Sequence, residues 1–212
     1  PEGLGIAWAR ASELANRRLL LVGSDMAVGK MTAGLEIWKS ARARGIQAEF
    51  LATGQIGIVL SGGGIALDAI RVDYAGGAVE KMVLDAADAE LVIVEGQGSL
   101  LHPGSTSTLP LLRGACPTHL ILCHRAGMTE LDTVGVTVKV PPLNEIIALY
   151  EDVASACGIY PRPVTVGIAL NTAHLNDDQA HRAISETADT TGRLVLDPVR
   201  QGCDQWVDAL MA

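Results

Sequence analysis

Short runs of consecutive apolar residues alternate along the chain with longer segments in which apolar residues recur at helical spacing. The apolar runs carry no polar alternation, which is typical of strands that are buried on both faces of a parallel sheet. They predict strands at residues 18–22, 46–51, 91–94, 118–123, 164–170 and 193–196. The helical segments predict helices at residues 30–44, 76–89, 143–157 and 177–190, and a last helix from residue 204. We therefore expect an α/β fold of three layers, with a mainly parallel sheet and helices on both faces.

Two long segments, at residues 53–64 and 96–114, interrupt this regular pattern and are predicted to be loops. The first is rich in glycine, and the second contains a cluster of hydroxyl side chains at 105–108. Both follow predicted strands, and ligands in open parallel sheets bind beyond the carboxyl ends of the strands. We therefore predict that both segments border a binding site, although the glycine triplet at 62–64 is equally typical of a plain turn.

The composition narrows the possible partners. The 212 residues fit one domain, so we expect residues 1–212 to form a single α/β unit. Apolar residues make up 49% of the chain and aromatic residues only 3%, so aliphatic side chains must build the core. A net charge of −8 argues against nucleic acid or an anionic membrane as partner. The sequence contains no run of about 18 uncharged apolar residues, and we expect a cytoplasmic protein.

The first residue is Pro1 rather than methionine. We therefore expect a processed chain or the carboxyl-terminal part of a longer, two-domain protein. The sequence leaves open whether the protein forms a homo-oligomer.

One glycine-rich motif lies between the first predicted strand and the first predicted helix. It matches the phosphate-binding pattern Gly-x-x-x-x-Gly-Lys in the strand-loop-helix context that the pattern requires. Its residues are Gly23, Ser24, Asp25, Met26, Ala27, Val28, Gly29 and Lys30. In such a P-loop, backbone N–H groups and the helix amino terminus face an anion, and the lysine adds a full charge. The motif therefore predicts that the three-layer α/β fold is P-loop NTPase-like, with a site for the diphosphate or triphosphate of a nucleotide-containing ligand.

The position after the lysine departs from the usual pattern. Met31 stands where a serine or threonine normally offers its hydroxyl to the magnesium ion of a nucleoside triphosphate. Thr32 comes one residue later, and one residue turns a helical side chain by about 100°. We include both residues in the predicted cofactor site, but Mg-ATP chemistry requires Thr32 to reach inward. A pyrophosphate ligand that needs no metal, such as coenzyme A, fits the loop equally well.

Three residues are candidates for acid–base chemistry. Glu95 directly follows a predicted strand, so its carboxylate is a candidate metal ligand, amine ligand or general base, or else it caps a neighbouring loop. His102 lies in the next loop, and a histidine near a buried carboxylate is suited to proton transfer near neutral pH. Asp73 precedes a predicted helix and is a candidate either for catalysis or for the start of that helix.

Other polar residues near strand ends are candidates for ligand contacts. Asn171 follows one strand, where its amide is placed to hydrogen-bond a base edge. Arg125 follows another and suits either a bidentate contact to a substrate carboxylate or an ordinary surface ion pair. Ser105 belongs to the hydroxyl cluster and is a candidate for substrate binding. Residues 197–200, Asp-Pro-Val-Arg, suit the wall of a base pocket or a tight turn.

Several segments together resemble known proteins. The P-loop and the acidic strand end at Glu95 are similar to those of dethiobiotin synthetase. A resemblance over nearly the whole chain is to the domain-of-unknown-function P-loop family that includes D-glutamate N-acetyltransferase. It rests on Ala52-Thr53-Gly54-Gln55, residues 94–103 (Val-Glu-Gly-Gln-Gly-Ser-Leu-Leu-His-Pro), Leu122-Cys123-His124, Pro142-Leu143-Asn144-Glu145 and Asp197-Pro198-Val199-Arg200.

This resemblance implies transfer of an acetyl group from acetyl-CoA to the amine of a D-amino acid, first of all D-glutamate. The P-loop would hold the CoA phosphates, and a carboxylate or His102 would take the ammonium proton, with no catalytic metal. Backbone N–H groups would stabilise the oxyanion, and Arg125 or Arg113 would bind the carboxylates of this small-molecule amine substrate. Family members generally carry an additional amino-terminal α/β domain, so the resemblance implies one in the full-length protein.

Two other functions are compatible with the sequence. In an ATP-dependent ligase of the dethiobiotin synthetase kind, Glu95 with Thr32 or Asp25 would hold magnesium, and an acyl phosphate would form. In a nucleotide-sensing module, the P-loop alone would suffice. Residue 31 distinguishes the ligase from the transferase. A Thr32 that faces a bound metal favours the ligase. A Met31 that fills the position of the usual metal-binding hydroxyl disfavours it.

Overall fold

The computed structural model describes residues 5–212, and six strands in this part of the chain form one sheet. The strands are β1 (Arg17–Gly23), β2 (Ala48–Leu51), β3 (Leu91–Val94), β4 (His119–Arg125), β5 (Val164–Asn171) and β6 (Val195–Leu196). Neighbouring strands are parallel, in the order β2-β3-β1-β4-β5-β6. Strand β1, which leads into the P-loop, therefore lies in the interior of the sheet, between β3 and β4.

Seven α-helices lie in the described part of the chain, six between strands and one after β6. They are α1 (Lys30–Ala43), α2 (Gln55–Ser61), α3 (Val72–Asp85), α4 (Thr108–Ala115), α5 (Leu143–Ser155), α6 (Asp177–Thr191) and α7 (Asp204–Met211). Each helix within residues 5–212 is too short or too polar to cross a bilayer.

Alternate residues of each strand belong to opposite faces of the sheet, and helices cover both faces. Leu20 and Val22 of β1 are buried in a cluster with residues of α3, α4 and α5. Leu19 and Leu21 are buried on the other face with residues of α1 and α7. Burial on both faces explains the uninterrupted apolar runs. It confirms the predicted three-layer, parallel α/β fold of the P-loop class.

The structure corrects the prediction that both irregular segments are loops. Helix α2 lies within the first segment, and α4 begins within the second and ends one residue after it. Helix α2 contains a glycine and three β-branched residues, which have low helix propensity. Helix α4 contains Pro110 in its first turn, where backbone N–H groups have no intrahelical partner and proline is tolerated. Helix α3 begins at Val72 rather than at the predicted residue 76. The sequence pattern missed its first turn because that turn is exposed and carries no apolar periodicity before the buried Ala75.

The carboxyl ends of the parallel strands meet at one edge of the sheet. Gly23 ends β1, Glu95 follows β3, Arg125 ends β4 and Asn171 ends β5. Arg125 and Asn171 are paired neighbours in the sheet, and Gly23 is paired with Cys123 of β4. The sheet thus brings together four residues that are far apart in sequence.

Candidate functional site

The P-loop connects the end of β1 at Gly23 to the start of α1 at Lys30. Two of its glycines are required by the geometry. Gly29 has a φ of 105°, in the left-handed region that favours glycine. A Cβ on Gly23 would lie 2.7 Å from the carbonyl oxygen of Asp25 and 2.8 Å from Nζ of Lys30. The local fold is the strand, tight loop and helix that the motif predicts.

The side chain of Lys30 is buried against the loop. Its Nζ donates hydrogen bonds to the carbonyl oxygens of Asp25 (2.8 Å) and Met26 (2.5 Å). Burial lowers the pKa of Lys30, and interactions with Cys123, Asp25 and Glu95 raise it in opposition. The amino group is therefore held by the loop backbone, where it can meet a bound phosphate.

Ser24 is buried against β4. Its N–H donates to the carbonyl oxygen of Cys123 at 3.0 Å, and its hydroxyl lies 2.8 Å from Nδ1 of His124. Burial first, and then the charge of Arg125, lower the pKa of His124 to about 4. His124 is therefore neutral near pH 7, and it supports the P-loop through Ser24.

Asp25 ties the P-loop to the loop that follows β4. Its Oδ1 accepts a hydrogen bond from the N–H of Met26 (2.7 Å), and its Oδ2 accepts one from the N–H of Asp132 (2.9 Å). The carbonyl oxygen of Asp132 in turn lies 3.0 Å from Nε2 of His102. These bonds connect the loops that follow β1, β3 and β4 into one unit.

His102 is engaged at both ring nitrogens. The N–H of Gly104 donates to Nδ1 at 3.1 Å, so this nitrogen carries no proton. Nε2 therefore carries the proton and donates it to the carbonyl oxygen of Asp132. In this arrangement neither nitrogen has a free lone pair with which to accept a proton from a substrate.

Glu95 is buried at the carboxyl end of β3. Its Oε2 accepts hydrogen bonds from the N–H groups of Thr53 (2.8 Å) and Gly54 (3.0 Å). Burial raises the pKa of Glu95, while these hydrogen bonds, the Gln97 side chain and the charge of Lys30 act against the rise. A buried carboxylate with a raised pKa is suited to proton transfer nearer neutral pH.

Met31 and Thr32 line different cavities. Met31 lines a cavity of about 380 Å³ together with Glu95 and Thr53. Thr32 lines a separate cavity of about 440 Å³ together with Asn171. The turn of about 100° between successive helical residues explains this division. The position that usually carries a metal-binding hydroxyl is thus occupied by a thioether on the Glu95 side.

The cavity beside Thr32 combines apolar walls with a few polar groups. Val28 and Pro198 contribute apolar surface, and Asn171 contributes an amide. Oδ1 of Asn171 accepts a hydrogen bond from the N–H of Ala173 at 3.1 Å, which leaves its NH₂ group for a ligand. A pocket of this composition suits the base and sugar of a nucleotide.

Residues 197–200 form a turn and also line this cavity, so the two sequence interpretations of this segment are compatible. Oδ1 of Asp197 accepts hydrogen bonds from the N–H groups of Val199 (2.9 Å) and Arg200 (3.2 Å). The buried carboxylate therefore holds the turn rather than a ligand.

A further cavity of about 380 Å³ adjoins the one at Met31, because Gln97 and Ser107 line both. Ser105 lies in its wall, where its hydroxyl accepts a hydrogen bond from the N–H of Ser99 at 3.0 Å. Ser105 thus shapes this loop, and the two cavities together form a groove beside Glu95.

The other three predicted site residues lie at different places in the fold. Arg125 is exposed at the carboxyl end of β4, at the same edge as the P-loop. Asp73 is exposed in the first turn of α3. Arg113 lies at the opposite edge, where its Nη1 donates to the carbonyl oxygen of Ala154 (3.2 Å) and its guanidinium lies 5.4 Å from the ring centroid of Tyr160. The geometry removes Arg113 from the site, because α4 carries it away from the P-loop.

Sequence reasoning missed Asp132 and Tyr150. Asp132 contributes through its main chain, which no residue type can signal. Tyr150 lies on the buried side of α5, where the apolar pattern indicates core, but its hydroxyl contacts the P-loop at Gly23.

Comparison with known proteins relates the chain to one family. Residues 5–207 match the family described as "Domain of unknown function (DUF1611_C) P-loop domain". Two proteins named D-glutamate N-acetyltransferase, from Pseudoalteromonas sp and Tritonibacter scottomollicae, are 36% and 37% identical over 192 and 201 residues. The matches cover 90% and 92% of this chain, but 57% and 58% of those relatives.

A similar structure has also been solved. The crystal structure of a DUF1611 family protein from Anabaena variabilis is 51% identical in sequence and superposes with a TM-score of 0.95. The match covers 100% of this chain and 62% of that chain. The chain thus spans somewhat more than half the length of the relatives that it matches.

Proposed function

The chain belongs to the DUF1611 family through the P-loop domain of that family, and on this premise we propose that it is an acetyl-CoA-dependent N-acetyltransferase. The proposed acceptor is the amine of a D-amino acid. D-glutamate is the first candidate, because two relatives that match most of this chain are named for it.

One observation carries the CoA proposal over an ATP-dependent alternative. Met31 lines the cavity of Glu95, whereas Thr32 lines the cavity of Asn171. Magnesium is a hard cation that prefers oxygen ligands, so a thioether at this corner is a poor substitute for a hydroxyl. The diphosphate of CoA can bind backbone N–H groups and a lysine without a metal ion.

In the proposed complex, the CoA diphosphate binds the backbone N–H groups of the P-loop and Lys30. The adenosine occupies the cavity lined by Asn171 and Thr32. The pantetheine arm passes Met31, whose apolar side chain suits it, and brings the thioester towards Glu95. The adjoining cavity receives the amine substrate.

Glu95 acts as the general base in this proposal. It takes a proton from the substrate ammonium, and the neutral amine attacks the thioester carbonyl carbon. The new N–C bond forms, the C–S bond breaks, and CoA leaves as a thiolate that takes up a proton. The hydrogen bonds of Oε2 to Thr53 and Gly54 fix the carboxylate, and Oε1 is the oxygen that accepts the proton in this proposal. A well-placed base contributes about 10²–10⁴-fold to the rate.

The hydrogen bonds of His102 support this choice of base. Both of its ring nitrogens are engaged, so its role in the proposal is to hold the loop that borders the substrate groove. Arg125 is exposed at the carboxyl end of β4, where it is paired with Asn171 of β5, and it lines neither of the two cavities beside Glu95, so the proposal gives it no contact to the substrate.

Calorimetric titration tests the ligand. The purified chain is titrated with acetyl-CoA and separately with ATP, each with and without magnesium. We expect acetyl-CoA to bind independently of magnesium, and Lys30→Ala to weaken this binding about tenfold or more, because charged hydrogen bonds to phosphate are lost. Lys39→Ala is the matched control, since Lys39 lies on the same helix with a side chain that is 64% exposed.

Two further variants test the missing metal-binding hydroxyl at residue 31 and the proposed general base. Met31→Thr restores the usual hydroxyl and is expected to raise the affinity for Mg-ATP. Glu95→Gln is expected to lower kcat with D-glutamate by about 10²–10⁴-fold while the affinity for acetyl-CoA is kept. Magnesium-dependent ATP binding by the unmodified chain, with no response to acetyl-CoA, would overturn the proposal in favour of the ligase.

A further inference from the structure

Arg200 lies in the wall of the cavity that Asn171 and Thr32 also line. Two neutral oxygen atoms orient its guanidinium group. Nε donates to the hydroxyl of Thr172 at 3.0 Å, and Nη2 donates to the carbonyl oxygen of Leu175 at 2.7 Å. Both partners belong to the loop that follows β5, and these two neutral groups help to hold the guanidinium beside the cavity.

The remaining strong contact of Arg200 is to an exposed carboxylate in the first turn of α6. Nη1 donates a hydrogen bond to the carboxylate of Asp177, which is the first residue of α6. The side chain of Asp177 is 85% exposed, whereas that of Arg200 is 31% exposed. The amino terminus of α6 is already capped by Asn176, which accepts a hydrogen bond from the N–H of Gln179 at 2.9 Å. Ion pairs with an exposed partner are weak. An anion of higher charge can therefore displace Asp177.

Asp197 is the second carboxylate near this guanidinium, with its Oδ2 3.8 Å from Nε of Arg200. Its oxygens are taken by the turn that it holds, through the N–H groups of Val199 and Arg200, and by Thr172, whose N–H donates to Oδ2 at 3.1 Å. Asp197 therefore fixes the position of Arg200 and leaves Asp177 as its exchangeable partner.

We propose that Arg200 binds the 3′-phosphate on the ribose of coenzyme A and thereby selects CoA over ligands that lack this phosphate. This inference rests on the proposed function. With the diphosphate on the P-loop and the adenosine in the cavity, the proposal places the 3′-phosphate at the cavity wall that carries Arg200. A guanidinium group can give two N–H groups to phosphate oxygens. Asp177 pairs with this group in the structure, and in the proposal CoA displaces it.

The test compares the dissociation constants of CoA and dephospho-CoA, measured by calorimetry on the same protein. We expect the unmodified chain to bind CoA about tenfold or more tightly than dephospho-CoA, as the loss of charged hydrogen bonds to phosphate requires. Arg200→Gln is expected to abolish this preference, because it weakens the binding of CoA far more than that of dephospho-CoA. Asp177→Asn is expected to increase the affinity for CoA severalfold, again without a change for dephospho-CoA.

Arg162→Gln is the control for net charge. Arg162 is an exposed arginine in the segment before β5, and it pairs with Glu151 and Asp152 of α5. It is expected to leave the ratio of the two affinities unchanged. Equal affinity of the unmodified chain for CoA and dephospho-CoA would overturn the inference and leave the proposed function intact. Equal weakening of both ligands by Arg200→Gln, with no effect of Asp177→Asn, would assign Arg200 a structural role instead. Failure of the unmodified chain to bind either ligand would overturn both the inference and the proposed function.

Discussion

The hydroxyl of Tyr150 donates a 2.8 Å hydrogen bond to the carbonyl oxygen of Gly23, the first residue of the P-loop. The same hydroxyl oxygen accepts a hydrogen bond from the N–H of Leu100 at 3.0 Å. Tyr150 is fully buried in α5, and burial raises its pKa, so the phenol stays protonated and keeps both bonds near neutral pH. One side chain therefore joins the P-loop to the loop that carries Ser99 and His102.

Tyr150→Phe removes both of these bonds and keeps the ring. The carbonyl of Gly23 and the N–H of Leu100 would be left without their partner, so we expect the free energy of unfolding to fall by about 1–3 kcal/mol. Because the P-loop loses a support, the affinity for acetyl-CoA is expected to fall as well. Urea denaturation and calorimetric titration measure the two effects.

Tyr160→Phe is the matched control, because Tyr160 stacks with Arg113 at the far edge of the sheet. It is expected to leave the affinity for acetyl-CoA unchanged. Loss of stability in Tyr150→Phe without loss of affinity would show that the tyrosine supports the fold but not the ligand site.

Gly57→Ala is predicted to displace the carboxylate of Glu95. A Cβ at position 57 would overlap Oε2 of Glu95 and would lie 2.9 Å from its Cδ. The carboxylate would have to leave the N–H groups of Thr53 and Gly54, and such misplacement of a catalytic group costs up to about 10²-fold in rate. We expect kcat for acetyl transfer to fall by about 10- to 100-fold, with the affinity for acetyl-CoA kept.

Gly63→Ala is the control for this variant, because a Cβ at Gly63 meets no atom within 4 Å and its φ is not positive. It is expected to leave kcat unchanged. An unchanged kcat in Gly57→Ala would mean that the position of Glu95 does not limit the reaction.

His124 is predicted to make the stability of the fold depend on pH. Its pKa of about 4 lies below the ordinary value of 6.5, because burial disfavours the charged ring. The unfolded chain therefore binds the proton first. The stabilising contribution is fully present above pH 6.5 and is lost as the pH falls towards 4. Between pH 7.5 and pH 5, this one group is expected to cost about 2 kcal/mol of the free energy of unfolding.

His124→Gln removes the titrating group and keeps an oxygen acceptor for the hydroxyl of Ser24. The loss of stability between pH 7.5 and pH 5 should be about 2 kcal/mol smaller in this variant than in the unmodified chain. Urea denaturation at the two pH values measures this difference. The carboxylates are the same in both proteins, so their contribution to the pH dependence cancels in the comparison. Equal losses in the two proteins would contradict a neutral, buried His124.

Much of the fold could be predicted because its signals are local and strong. The buried strands are uninterrupted apolar runs, and the P-loop has a fixed spacing of Gly23, Gly29 and Lys30. Helices α2 and α4 could not be predicted in this way. Helix α2 contains a glycine and three β-branched residues, which have weak helix propensity, and α4 is short and carries a proline in its first turn, so neither gives a clear helical signal in the sequence.

The residues of the candidate site also differ in how well the sequence predicts them. Glu95 and Asn171 could be identified because a polar residue directly after a buried strand must lie at the ligand edge of a parallel sheet. Arg113 looked equally suitable in the sequence, but α4 places it at the opposite edge. Which residues a helix carries towards or away from a site depends on its direction in space, and residue type does not encode that direction.

The sequence by itself determined the α/β class and the P-loop, and it pointed to Met31 as an exception in the loop, because each of these depends on residue types at fixed local spacing. Only the tertiary structure decided the side of α1 that Met31 and Thr32 face, the engagement of both nitrogens of His102 and the contact of Tyr150 with Gly23. Each of these depends on hydrogen bonds or cavities formed between segments that are distant in the chain. Such contacts exist only once the sheet has brought those segments to the same edge.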